Sequence, residues 1–252
     1  MRKNIAICTL LMGASMASAQ TMKIHLSDGT TATYPAERVN YVEFIEDDTP
    51  GDNGHEYVDL GLPSGLLWAT CNVGANSPEE YGDYFAWGET EGYNSGKNYY
   101  DWSTYKWCNG TFTSMTKYCI DSYYGTVDNK TVLELSDDAA RANWGGSWRM
   151  PTEEEQYELR TECTCTWATQ NGVYGYKVVG PNGNSIFLPA AGYRNYSSLY
   201  HAGSGGLYWS SSLNASSPND AYCLYFNSSY AGCGSNGRYD GQSVRPVRCF
   251  SE

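Results

Sequence analysis

The chain has 252 residues, 41% of them hydrophobic and 15% aromatic, and carries a formal net charge of −12. This composition excludes disordered and fibrous classes, and the length suffices to bury a sizeable core. An acidic balance without clustered Lys or Arg argues against nucleic acid, which needs a basic stripe to face phosphates.

Met1 to Ala19 reads as a secretory signal peptide: Arg2 and Lys3 form the charged start, Ile5 to Met12 the apolar run, and Ala17-Ser18-Ala19 a cleavage site. The mature chain is expected to begin at Gln20, and loss of Arg2 and Lys3 takes its charge to −14. No later stretch is long and apolar enough to cross a bilayer, so no transmembrane segment is expected, and Cys8 lies too early for a lipid anchor. The expected location is periplasmic, cell-surface or extracellular.

The remaining cysteines, Cys71, Cys108, Cys119, Cys163, Cys165, Cys223, Cys233 and Cys249, form an even set in a chain bound for an oxidising compartment. Disulfides are permitted and their connectivity is open. Cys108 with Cys119 and Cys223 with Cys233 are the obvious local pairs, each spanning a polar loop. Cys163-Thr164-Cys165 has no His nearby, so it is read as a buried Cys beside an incidental one rather than as a metal clip.

In chain order, residues 20–46 predict a short β-hairpin unit, with strands at Lys23 to Leu26 and Tyr41 to Ile45 and a turn at Ser27-Asp28-Gly29. Residues 47–54, charged and rich in Pro and Gly, predict a linker, and residues 55–252 the main domain. That domain opens with strands at Tyr57 to Leu60 and Leu66 to Thr70, followed by a strand pair at Tyr84 to Trp87 and an aperiodic Tyr- and Gly-rich stretch from Gly88 to Val132. Two helices follow. Ser136 to Trp144 begins on a capping residue and acids and stops at Gly145-Gly146. The second runs from Thr152 to about Cys163 with the Thr152/Glu155 spacing of a capping box, and its expected buried side is Tyr157, Leu159 and Cys163. A hairpin joins Gly175–Gly180 to Ser185–Pro189 across Asn182-Gly183.

From Phe187 to Arg248 the chain is dominated by Tyr, Ser, Asn and Gly. Tyr offers large, stiff contact area with a polar tip, and Ser, Gly and Asn offer adaptable hydrogen bonds, the mixture used by antibody loops. The residues expected to form a ligand-binding surface are Tyr193, Asn195, Tyr196, Ser198, Tyr200, His201, Asn214, Cys223, Tyr225, Asn227, Tyr230, Asn236 and Tyr239. Alternation in Ala221 to Phe226 sends Leu224 and Phe226 inward and Cys223 and Tyr225 to the other face. Arg245, Arg248, Trp148 and Trp209 are read as structural.

Gly145-Gly146-Ser147-Trp148-Arg149-Met150-Pro151-Thr152, Phe187-Leu188-Pro189-Ala190-Ala191-Gly192, Tyr208-Trp209-Ser210-Ser211-Ser212 and Ser243-Val244-Arg245-Pro246-Val247-Arg248 carry a resemblance. Together, and in this order, they resemble the Fibrobacter succinogenes major paralogous domain family. The likeness spans roughly Glu56 to Arg248. It implies an α+β, C-type-lectin-like domain: two helices packed on twisted antiparallel sheets, with long irregular loops displayed on one face. That fold is shared with formylglycine-generating enzymes and with variable proteins of diversity-generating retroelements. Adenine-directed mutagenesis in the latter yields residues of the kind seen at Asn195, Tyr196, Tyr200, His201, Asn214, Cys223, Asn227, Tyr230, Cys233, Asn236, Tyr239 and Asp240.

Catalytic parts are harder to assemble. His25, His55 and His201 are isolated, no phosphate-cradling Gly loop precedes a helix, and the cysteines do not match the formylglycine-generating pattern. Pro218-Asn219-Asp220 only faintly echoes a calcium-lectin motif, so neither metal nor cofactor is expected. The expectation is a secreted, non-enzymatic recognition protein for a protein or glycan ligand. The alternative is a carbohydrate-active hydrolase using loop carboxylates between Glu79 and Asp101.

Overall fold

In the computed structural model, which describes residues 21–25, 31–35 and 54–249, the chain divides into two units, Met1–Asp47 and Asp48–Glu252. The first contains β1 (Thr21–His25) antiparallel to β2 (Thr31–Pro35), with Lys23 opposite Thr33. The partner of β1 is thus a Thr-rich run unassigned from sequence, whose β-branched residues suit an extended chain. The expected strand at Tyr41 to Ile45, the signal peptide and most of the linker lie outside the described residues.

The second unit begins with β3 (Tyr57–Asp59) and β4 (Leu67–Ala69), and the far side of β4 is taken by β13 (Val247–Arg248). Tyr84 to Trp87 form no strand pair. Phe85 makes one bridge, to Gln242, while the Trp87 N–H donates to the Arg238 carbonyl and the Trp87 carbonyl accepts from the Tyr105 hydroxyl. Its hydrogen bonds go to a loop and a side chain, so no ladder propagates.

A 3-10 turn at Leu135–Asp137 precedes α1 (Ala139–Trp144), and the cap is Asp138 rather than Ser136. The Asp138 carboxylate accepts from Arg141 N–H at 3.0 Å and from Met150 N–H at 2.8 Å, tying the helix start to the next segment. In α2 (Glu153–Glu162) both bonds of the Thr152/Glu155 capping box are present. Its buried face is Gln156 and Leu159, not Tyr157, which is 52% exposed. Gln156 is drawn inward because its amide donates to the carbonyls of Tyr208 and Trp209, where the neighbouring strand breaks register. Tyr157, one position round the helix, lies instead beneath the Arg160 guanidinium.

β5 (Thr164–Gln170), β6 (Val173–Val179) and β7 (Ser185–Pro189) form an antiparallel sheet. β5 was not read from sequence: it starts one residue after α2, and its outward set is Thr164, Thr166 and Thr169. Next come the short hairpin β8 (Tyr193–Asn195) and β9 (Ser198–Tyr200), then the sheet of β10 (Gly205–Leu213), β11 (Asp220–Asn227) and β12 (Tyr230–Gly237). The whole is an α+β, sheet-rich arrangement of small antiparallel sheets with two short helices.

β10 and β11 divide the core. Trp209 and Cys223 pack into one cluster with Trp87, Trp148 and Phe85; Tyr208, Leu224 and Phe226 pack into another with Trp68, Leu188 and Val247. The indole N–H of Trp87 donates to the Ser210 carbonyl and that of Trp209 to the Phe85 carbonyl, both at 2.8 Å, whereas the buried indole N–H groups of Trp68 and Trp148 have no acceptor. Arg245 is structural: buried, it donates to the carbonyls of Ala69, Thr70 and Phe187 and to Asn72. Arg238, unnoticed in the sequence, does the same for Lys117, Tyr118 and Pro218 and for the Tyr105 hydroxyl.

All eight described cysteines are free thiols. Cys223 faces Gly234 and Leu224 faces Cys233 across β11 and β12, so the two sulfurs leave opposite sides of the sheet. Cys108 and Cys119 donate instead to the Trp102 and Asp121 carbonyls. Neither expected pair is bonded. Among the described residues no helix is long and apolar enough to cross a membrane.

Candidate ligand-binding face

The β8–β9 hairpin is held by main-chain bonds on both flanks. Tyr100 and Tyr196 exchange N–H···O bonds of 3.0 and 2.8 Å, and Arg194 and Gly241 exchange bonds of 2.7 and 2.9 Å. The chain then doubles back over Gly192, where a Cβ would lie 2.0 Å from the Tyr200 carbonyl oxygen, so only glycine fits. Tyr196 and His201 sit at φ +52° and +59°, left-handed turns that non-glycine residues adopt uncommonly.

On this support the rings assemble. Tyr193 stacks with Tyr200 at 5.6 Å and with His201 at 5.9 Å, Tyr99 tilts against Tyr196 at 5.7 Å, and Trp102 meets Tyr239 edge-on at 4.7 Å. Tyr196 is 51% exposed and Tyr200 43%, while Ser198 and His201 are open to solvent. Beneath them Asn195 donates to the Tyr239 hydroxyl at 3.2 Å and to the Asp240 carboxyl at 2.7 Å. Burial pushes the Asp240 carboxyl up to about 7, against the Asn195 bond and with help from Asp220. Burial also raises the phenols of Tyr193 and Tyr239, and the charge of Asp240 adds to both.

A second group lies at the β11–β12 turn. Asn227 accepts from the N–H groups of Ser229 and Tyr230 and donates to the Tyr225 hydroxyl at 2.6 Å, and Tyr230, 57% exposed, leans on Tyr225. The two groups meet at Gly205, whose missing Cβ would lie 3.9 Å from both His201 Cβ and Tyr225 Cε2. Tyr193, Asn195, Tyr196, Ser198, Tyr200, His201, Tyr225, Asn227, Tyr230 and Tyr239 thus belong to one neighbourhood.

Three expected residues fall elsewhere. Cys223 is 3% exposed and packed against Trp209, and burial pushes its thiol up to about 12; alternation placed it on the far face correctly, but that face is core at this point. Asn236 lies six positions along β12 from Tyr230, about 20 Å away at strand rise. Its side chain caps the Gly237 N–H, and that of Asn214 bonds Ser235 and the Ser216 N–H. Conversely, Tyr99 and Trp102 border the face through Tyr196 and Tyr239, while Arg194 leaves the other side of β8 and stacks on Tyr93. Tyr99 and Trp102 come from the aperiodic stretch, and main-chain pairing of Tyr100 with Tyr196 brings them there.

Apart from Glu91, the loop carboxylates between Glu79 and Asp101 are occupied by the fold. Asp83 accepts from the N–H groups of Tyr84 and Asn94, and Glu89 from Lys97 and from the Lys106 N–H. Glu80 accepts from the Asn76 N–H and Asp101 from Ser103 and Thr104. Glu79 is bonded by Asn171 and Gln170, and its carboxyl is held below its ordinary value, first by Asn171. Asn219 of the calcium echo donates to Asp220, and the Pro218 carbonyl is taken by Arg238. No three His, Cys, Asp or Glu side chains converge as a metal-holding group among the described residues. A cavity of about 110 Å³ lined by Thr70, Pro78, Gln170, Lys177, Ser185, Ile186 and Phe187 contains none of the face residues.

Residues 167–250 match a family described as a domain of unknown function (DUF8237), a span that includes every residue of the face contributed by β8 to β12. No curated protein and no solved structure matches the chain.

Proposed function

We propose that the second unit is a C-type-lectin-like recognition domain of the Fibrobacter major paralogous kind, exported and displayed to bind a ligand non-covalently, without catalysis. What supports it most is the continuity of the exposed phenols: Tyr196, Tyr200 and Tyr230 share one neighbourhood, through stacked partners and Gly205. Rigid aromatic anchors ringed by amides and hydroxyls are the usual currency of such contacts. A hydrolase reading finds less support, since every acid between Glu79 and Asp101 except Glu91 is spent on backbone or side-chain donors, which leaves no pair of free carboxylates there. Diversification by a retroelement is part of the proposal for Tyr196, Tyr200, Asn227 and Tyr230, and its support excludes the interior Cys223 and Asp240.

Glycan and protein arrays probed with the intact chain and with a Tyr196→Ala, Tyr200→Ala, Tyr230→Ala variant test the binding claim. Capture lost in the variant is expected; capture retained, or turnover abolished by neutralising Glu79 and Glu89, refutes it. A near-copy of the coding repeat beside a reverse-transcriptase gene tests diversification separately.

A further inference from the structure

The sheet of β10, β11 and β12 has two outer edges, and the fold treats them differently. On β10 the outward groups are taken up. The N–H groups of Trp209, Ser211 and Leu213 donate to the carbonyls of Ser243, Pro151 and Thr131, and the carbonyls of Gly205 and Leu207 accept from Gly192 and Ser243. β12 forms the other edge. Its hairpin with β11 closes over two residues, so Asn227 and Tyr230 are a hydrogen-bonded pair and every second residue from Tyr230 turns its peptide groups toward β11. The N–H and carbonyl groups of Ala231, Cys233 and Ser235 therefore point away from the sheet, and among the described residues no hydrogen bond takes any of them. The Gly237 N–H, next in that series, is capped by the Asn236 side chain, which marks where the open run ends.

The usual protections of such an edge are missing. Tyr230–Gly237 holds no charged residue and no proline, its register with β11 runs without a bulge, and all of it except Gly232 is half-buried or exposed. A Cβ at Gly234 would meet nothing within 4 Å, so the main chain can be approached there. On the inner side, Ala231 and Cys233 lie at the margin of the cluster of Trp68, Leu188 and Val247, beside which Trp167 of β5 is also only partly buried. On the outer side the strand begins at Tyr230, whose ring covers Gly232 and leans on Tyr225, within the second group of the face.

We infer that β12 takes up an extended, uncharged polypeptide segment as a fourth strand, antiparallel like its neighbours, with aliphatic side chains at alternate positions covering Ala231 and Cys233. This goes beyond the recognition reading above and does not depend on the phenols. Outward donors and acceptors on every second residue are matched by another main chain, and such strand addition takes its affinity from the backbone. A second copy of this chain fits worse. Pairing β12 with itself sets Ala, Cys and Ser against residues as small, adds nothing that extends the apolar cluster, and brings together two chains of charge −12. β5 is an edge strand as well, but α2 runs straight into its start and it contributes no residue to the face.

Titration and amide hydrogen exchange on the full chain decide it, with an end-capped hexapeptide of alternating Val and Thr as the probe. The amides of Ala231, Cys233 and Ser235 should exchange freely in the chain alone and about tenfold or more slowly with peptide bound. Two N-methylated isomers sharpen the reading. Methylation at the Val residues removes the donors that face β12 and should weaken binding about tenfold or more, whereas methylation at the Thr residues, on the far edge, should leave it unchanged. Ser235→Pro removes one outward donor without touching the ladder to β11 and should also weaken binding. The isomers make the comparison on the unaltered protein, so a poorly folding variant does not blur it. Equal binding of the isomers, no binding at millimolar peptide, slowing at Cys165, Trp167 and Thr169 of β5 instead, or amides of β12 already protected in a dimer without peptide overturns the inference. The Tyr196→Ala, Tyr200→Ala, Tyr230→Ala variant keeps the two claims apart. If the peptide fails while that variant loses array capture, only the edge falls; if the peptide binds as expected while the variant keeps capture, only the phenol face falls.

Discussion

Tyrosines of the loop region before α1 and tyrosines of the late strands are the same residue put to opposite uses. Tyr84, Tyr100, Tyr105 and Tyr118 are buried, and each hydroxyl donates to a fixed acceptor: the carbonyls of Ala191, Tyr84 and Trp87, and the Asp137 carboxylate. Tyr196, Tyr200 and Tyr230 stand out of the surface. Composition cannot tell the two apart; the presence of an internal acceptor can. A buried phenol without one costs its desolvation, so the early loops, which wander without ladders, offer carbonyls to phenols instead. Burial pushes the phenols of Tyr84, Tyr100 and Tyr105 well above the ordinary range, and the interior set therefore stays neutral.

The contrast can be broken most severely at Arg238, which joins the loop tyrosines to the turn after β12. Arg238→Met strands four acceptors at once and should cost on the order of 3 kcal/mol or more in chemical denaturation. Asp240, beneath the exposed set, comes next. Its carboxyl rises from 3.8 to about 7 on folding, so the fold favours the protonated form. Its contribution is full below about pH 4, is lost as pH rises toward 7 and is flat above, a swing of a few kcal/mol on the order of 1.4 per pH unit. Asp240→Asn should remove that slope; an unchanged stability profile between pH 4 and 7 would show that Asp240 is ionised in the fold. Tyr100→Phe deletes one interior hydroxyl and one of the two donors to the Tyr84 carbonyl, which keeps the Tyr93 N–H, for about 1 kcal/mol. Tyr230→Ala, on the exposed side, should stay within about 0.5 kcal/mol while still weakening capture. If Tyr230→Ala destabilises as much as Tyr100→Phe, the division between the two sets is false.

Local chemistry was the legible part. The Thr152/Glu155 box, the Asn182-Gly183 hairpin and the alternation that turns Leu224 and Phe226 inward follow from contacts within a few residues or across one strand pair. What escaped depends on distant partners. Gln156 outranks Tyr157 on α2 only because a register break in β10 exposes two carbonyls, and Phe85 bridges Gln242 instead of a neighbouring strand. The exposed cluster was half legible for the same reason. Tyr193 to Tyr200 lie close in sequence, but Tyr99 and Trp102 arrive from nearly a hundred residues earlier, and Cys223 has the right parity yet meets Trp209.

The β8–β9 hairpin is fastened through peptide groups of Tyr100, Tyr196, Arg194 and Gly241. Such a fastening is blind to side-chain identity. The hairpin can therefore act as a socket into which different residues are loaded, including Asn or Asp at the left-handed Tyr196 position, while the main chain keeps its seat. Novelty in what is held and constancy in how it is held would then be inherited separately.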